Sequence, residues 1–128
     1  MSGLKILIVD DERDYSETMG FWLMAKGYDV KTVTSGKAAI EYLSGQGMPD
    51  IVFLDILMPG MDGIETLAEI KKILPSLPVI MVTAYASDER KEAARSLGAA
   101  GFFAKADDFS LAARLIKGTL ENIGHSNG

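Results

Sequence analysis

Apolar and polar positions along this chain fall into blocks that read strand then helix, five times over. Residues 4–9 form a short apolar run that stops at two acids, Asp10 and Asp11. A run of that length bounded by polar residues predicts a buried strand. Over 13–26, Tyr15, Met19, Trp22 and Leu23 recur at helical spacing, and Gly27 marks the end. In 29–34 only Val30 and Val33 are apolar, which predicts a strand at the edge of a sheet. Ser35 is placed to cap a helix over 36–44, and Gly45-Gln46-Gly47 ends it.

The second half repeats the theme. Residues 50–55 predict a central strand ending at Asp55, after which Pro59-Gly60 turns the chain. Asp62 can cap a helix over 63–74 whose Ile64, Leu67, Ile70 and Ile73/Leu74 share one face. Pro75 and Pro78 close that helix and admit the strand 79–83. Ser87, Asp88 and Glu89 open a helix to about residue 97, their acids suited to its positive end, and Gly98 stops it. A short strand over 101–104 ends at Lys105. Asp107 or Asp108 then caps a last helix to about residue 122, and residues 124–128 are expected to be a disordered tail. The pattern predicts an α/β fold, a doubly wound parallel sheet with five helices, in one domain over 1–123; the order 2-1-3-4-5 is expected by analogy with known doubly wound folds and does not follow from the pattern. A closed barrel would need eight such units.

Composition narrows the function. The chain has 128 residues, no cysteine and a net charge of −5 from 13 basic and 18 acidic residues. These values exclude a disulfide framework and a thiolate metal site, and they argue against nucleic-acid binding by this domain alone. No apolar run approaches the roughly 20 residues of a membrane span, and the start lacks a signal-peptide layout, so a cytoplasmic protein is expected.

The strand ends carry the chemistry. If strands 1, 3, 4 and 5 are parallel neighbours, Asp10, Asp11, Asp55, Thr83 and Lys105 converge at one rim. Carboxylates so crowded drive one of their number toward protonation unless cations compensate. Lys105 supplies one charge, and a hard divalent ion such as Mg²⁺ suits the remainder. Thr83 can donate one hydrogen bond and Lys105 three, so the rim fits a phosphoryl group on Asp55. Taken singly each residue has a plainer role: Asp10 or Asp11 as a helix cap, Thr83 as a strand-end residue, Lys105 as a solvated lysine.

The segments Ile8-Val9-Asp10-Asp11-Glu12, Leu54-Asp55-Ile56-Leu57-Met58-Pro59-Gly60-Met61-Asp62-Gly63, Val82-Thr83-Ala84 and Gly98-Ala99-Ala100-Gly101-Phe102-Phe103-Ala104-Lys105 resemble the receiver domains of two-component response regulators. The resemblance spans about residues 4–122 and implies the flavodoxin-like, CheY-like fold. It implies that Asp55 is the phosphoacceptor, that Asp10, Asp11, Asp55 and the backbone carbonyl of Leu57 hold Mg²⁺, and that Thr83 and Lys105 bind phosphoryl oxygens. Thr83 and Phe102 would form the switch, and Leu57, Ala84 and Tyr85 would govern access to the site. The implied partners are a histidine kinase or histidine phosphotransfer protein upstream. Downstream, a protein or output domain would be met through helix 4, strand 5 and helix 5, with a homodimer through the same helices allowed. The chain would be a stand-alone regulator or the receiver of a longer protein.

Two positions depart from the family pattern. Ala106 follows the lysine where proline is usual; a cis bond to a non-proline costs roughly 2.5–4 kcal/mol, so a trans bond and a reshaped loop are expected. Phe102 lacks the hydroxyl of the common tyrosine. Leu57 and Tyr85 are bulky and uncharged, which predicts shielding of Asp55 from water. Trp22, the methionines, His125 and the helix face of Arg90, Lys91, Glu92 and Arg95 are assigned to packing or solvent. Competing functions are an unphosphorylated interaction module, a Mg²⁺-dependent aspartate-nucleophile phosphohydrolase and, more remotely, a flavodoxin-like FMN carrier. For the hydrolase, Leu57 stands where a second acid would be useful. For the FMN carrier, acids follow strand 1 where a Ser/Thr/Gly loop is needed.

Overall fold

The computed structural model describes residues 3–45, 47–84 and 87–127. Its elements in chain order are β1 (Lys5–Val9), α1 (Arg13–Ala25), β2 (Asp29–Val33), α2 (Gly36–Ser44), β3 (Ile51–Asp55), α3 (Gly63–Ile73), β4 (Val79–Thr83), α4 (Asp88–Ser96), β5 (Gly101–Ala104) and α5 (Phe109–Asn127). The strands form one sheet of order β2-β1-β3-β4-β5, every pair parallel. Both the alternation and the predicted order hold.

Period-two side-chain alternation in the strands builds two cores. Leu7, Val9, Val52, Leu54, Val79 and Met81 face one side and meet Leu43, Leu67, Ile70 and Ala94 from α2, α3 and α4. Ile6, Ile8, Ile51, Phe53, Ile80, Val82 and Phe103 face the other and meet Met19 and Leu23 of α1 with Ala112 and Ile116 of α5. The three central strands, β1, β3 and β4, are buried on both faces and therefore read as unbroken apolar runs, whereas Asp29, Lys31 and Thr32 of the edge strand β2 are exposed. Among the described residues no helix is long and apolar enough to cross a membrane.

The register lines up the strand ends. Val9 pairs with Leu54, Asp55 with Val82, and Thr83 with Ala104. The residue after β1, the last of β3, the last of β4 and the residue after β5 thus lie along one rim. Gly63 lets α3 start directly above that rim, because a Cβ there would collide with the backbone of Asp55 and Ile56. Gly60, at φ +76°, makes the intervening turn. Asp62 caps α3 in a reciprocal box with Glu65, and Ser35 and Ser87 cap α2 and α4.

Of the two candidate caps for α5, Asp108 accepts from the Ser110 amide at 2.9 Å, while Asp107 accepts from the Ala104 amide at 3.3 Å. The expected tail over 124–128 is corrected: α5 stays helical to Asn127. A single glycine, Gly124, costs only about 1 kcal/mol in a helix and does not break one already running. Gly128 lies outside the described residues.

Candidate functional site

Asp10, Asp55 and Thr83 are buried at the rim, with Asp10 at 1% and Asp55 at 4% exposure. The helix-cap role expected for Asp10 or Asp11 is not taken up: α1 follows Glu12 with no side-chain cap, and Asp10 instead accepts a hydrogen bond from the Glu12 amide at 2.8 Å. Asp11 is exposed, yet it brings a carboxylate oxygen within reach of the other two: one oxygen from each of Asp10, Asp11 and Asp55 lies within 4.8 Å of the others. The Leu57 amide donates to Asp55 Oδ1 at 3.3 Å, so the loop after β3 folds back over the strand end.

Lys105 enters from the far side of the sheet. Its amide donates to the Thr83 carbonyl at 2.8 Å, which continues the β4–β5 pairing by one residue and sends the side chain inward. The Lys105–Ala106 peptide bond is trans. Lys105 Nζ lies 2.9 Å from Asp10 Oδ2 and 3.4 Å from Asp55 Oδ2, and it also pairs with Glu12. Its side chain is only 10% exposed, so it is no solvated surface lysine.

The electrostatics follow from that crowding. Burial, then the neighbouring Asp10 charge, pushes the Asp55 carboxyl up from 3.8 to about 7, with Lys105 and the Leu57 amide pulling the other way. For Lys105, burial disfavours the charge, but hydrogen bonds to Glu12 and Asp10 and the charges of Asp55 and Asp10 outweigh it and hold the amine above the ordinary lysine value. One ammonium therefore leaves Asp55 undercompensated. The three oxygens match what a hard divalent ion uses, and such an ion would relieve the repulsion. Thr83 supplies a further open valence, because its Oγ1 is buried without a hydrogen-bond partner among the described residues.

Of the remaining predicted positions, Leu57 and Ala84 follow Asp55 and Thr83 closely in the chain. Leu57 is 48% exposed. Ala84 is exposed beside Thr83, and Tyr85 lies outside the described residues. Phe102 is half-buried against the α3–α4 side of the core, and the Arg95 guanidinium lies 5.4 Å from its ring centre.

Sequence reading missed four contributors. Glu12 and Tyr15 both touch Lys105, the latter with its ring centre 4.8 Å from Nζ. Their offsets from Asp11, one residue and one helical turn, are the signal that points to the same rim. Arg90 and Arg95 keep the solvent exposure expected of that helix face, with side chains 42% and 57% exposed, and in addition Arg90 pairs with the capping residue Asp62 at 3.5 Å and Arg95 lies over Phe102. No spacing rule connects α4 to those partners.

Residues 6–120 match the response regulator receiver domain family. The chain is 39% identical over 106 residues, 83% of its length, to the transcriptional regulatory protein ZraR of Escherichia coli K12. It spans 24% of that relative's length. Among solved structures, a CheY-like response regulator receiver domain protein from Methanospirillum hungatei superposes with a TM-score of 0.92 at 28% identity, covering 99% of this chain and 100% of that one. The N-terminal domain of a response regulator/sensory box/GGDEF three-domain protein from Carboxydothermus hydrogenoformans gives a TM-score of 0.87 at 33% identity, covering 97% and 99%. With its fold, sheet order and carboxyl-rim acids in place, this chain belongs to the receiver domain family of two-component response regulators.

Proposed function

We propose that Asp55 accepts a phosphoryl group from a histidine kinase or histidine phosphotransfer protein and that the added charge switches the surface formed by α4, β5 and α5. The observation that carries this reading is a buried carboxylate at the end of a central strand, raised to about 7, within reach of two further acids and one lysine. In the transfer, a carboxylate oxygen of Asp55 forms the P–O bond as the P–N bond of the donor's phosphoimidazole breaks. The leaving nitrogen keeps the bonding pair and takes a proton from solvent. Asp10, Asp11, Asp55 and the Leu57 carbonyl would hold Mg²⁺, which supplies positive charge to the phosphoryl oxygens. Lys105 contributes its ammonium to the same oxygens, and the Thr83 hydroxyl, without a partner among the described residues, gains an acceptor.

The phosphoryl group carries about −1.5 to −2 charge in place of the single carboxylate charge it consumes, a net gain of up to about one negative charge next to Asp10 and Asp11. Thr83 moving toward the new oxygens vacates space into which Phe102 turns, giving up its contact with Arg95. The altered face then engages a downstream protein or output domain. Leu57 stands beside the acceptor and screens it from water, so Leu57→Asn shortens the lifetime of the phosphorylated form.

Incubation with Mg²⁺ and acetyl phosphate followed by intact mass tests the assignment. The wild-type chain should gain one phosphoryl group and Asp55→Asn none. Equal gain in both would place the acceptor elsewhere, and steady hydrolysis of small phosphate esters would favour the hydrolase.

A further inference from the structure

The Lys105 ammonium is drawn by Glu12, Asp10 and Asp55 together. Attraction by several anions does not by itself aim a flexible four-carbon side chain that ends in a compact charge. The aim comes from a surface on which the amine can rest. Tyr15 projects from the first turn of α1 with its ring centre 4.8 Å from Lys105 Nζ, inside the range over which an aromatic face attracts a cation.

The ring is itself held in place. Tyr15 packs on Phe109 of α5 with centroids 5.8 Å apart, and Phe109 stacks at 6.4 Å on the buried Phe103 of β5. Phe103 in turn meets Phe53 of β3 edge-on at 6.3 Å. A column of aromatic rings thus runs from the interior of the sheet to the underside of the lysine. The Tyr15 hydroxyl does not share in this: it is buried and has no hydrogen-bond partner among the described residues. An unpaired buried hydroxyl is destabilising, so the feature of Tyr15 that suits this position is its ring face.

We propose that Tyr15 is a positioning residue whose ring face, backed by Phe109, sets the aim of Lys105 between Asp10 and Asp55. The consequence for phosphoryl transfer rests on the function proposed above, whereas the placement of the amine does not, and the test separates the two. Tyr15→Leu keeps apolar bulk without the aromatic face, and Tyr15→Phe keeps the face without the hydroxyl. Acetylation of Lys105 by N-hydroxysuccinimide acetate, mapped by peptide mass, reads the amine directly in the full chain without phosphate. Lys105 in Tyr15→Leu should be acetylated about threefold faster or more, with Tyr15→Phe indistinguishable from wild type. Under Mg²⁺ and acetyl phosphate, Tyr15→Leu should take up phosphoryl about three- to thirtyfold more slowly, again with Tyr15→Phe unaffected. Thermal melting of all three proteins identifies loss of folding as a cause.

Two results would overturn the proposal. In one, Lys105 labels equally in wild type and a folded Tyr15→Leu. In the other, Tyr15→Phe is as impaired as Tyr15→Leu, which would make the hydroxyl and not the ring the active feature. Should wild type take up no phosphoryl while the labelling order holds, the function assigned to Asp55 fails and the placement of Lys105 by Tyr15 stands.

Discussion

Phe53 and Asp55 are two residues apart on the same strand, point to the same face and are both buried, at 0% and 4% exposure. Phe53 pairs with Ile8 and Ile80 on the neighbouring strands and meets the Phe103 ring edge-on. Asp55 sits beside a second buried acid, held by one lysine that it shares with Asp10 and Glu12. One position stabilises the fold and the other strains it. The contrast teaches that the sheet interior supplies the stability and the rim uses some of it to keep a buried carboxyl crowded by another acid.

That contrast can be tested in order of size. Phe53→Ala should cost about 3–5 kcal/mol in urea unfolding, the full penalty for emptying a close-packed site. A loss below about 1 kcal/mol would mean that the interior is not what holds the sheet.

The rim should show the opposite behaviour through pH. Asp55 titrates at about 7 in the folded chain and near 3.8 when unfolded, so between those values the folded form binds the extra proton. Stability of the metal-free protein should therefore fall as pH rises from about 4 to about 7, by at most about 1.4 kcal/mol per pH unit for this proton, and level off above. Comparing wild type with Asp55→Asn across that window isolates the effect: the variant should lack the slope and be the more stable protein above pH 7. Mg²⁺ should raise the wild-type unfolding midpoint at pH 8 and leave Asp55→Asn nearly unmoved. A wild-type curve parallel to that of the variant would remove the case for a strained Asp55.

Smaller effects distinguish the helices on either side of the rim. α3 buries Thr66, Leu67 and Ile70 and carries a capping box, while α4 buries only Ala94 and is tied by Arg90 to Asp62 and by Arg95 to Phe102. Asp62→Ala, which removes both the cap and the tie, should cost about 1 kcal/mol. Arg90→Ala should cost under about 0.5 kcal/mol globally, since that pair is partly exposed. It should nonetheless speed hydrogen exchange in α4 with little change in α3. Equal change in both helices would show that they open as one unit.

How far the chain announced all this differs from place to place. The helix starts at Ser35, Asp62 and Ser87 were legible because a cap and the helix it serves are a few residues apart. The end of α5 was not, because one glycine after Ile123 looks the same in a helix as in a tail. Asp10, Asp55, Thr83 and Lys105 could be gathered in advance because each stands where an apolar strand stops and parallel pairing brings such ends together. Glu12 and Tyr15 escaped for the reverse reason: on a helix their side chains have ordinary uses, and only the reach of Lys105 across the rim gives them another.

Local chemistry, written in the order of residues, determined the strands, the helices, their caps and the acids at the strand ends. The tertiary structure alone decided which charges share Lys105, that the Thr83 hydroxyl has no partner among the described residues, that Tyr15 underlies the amine and that α4 is held by two arginines. The division has a physical cause: periodicity and capping act over a few residues, whereas burial, ion pairing and ring contact depend on distances between segments that the chain brings together only when folded.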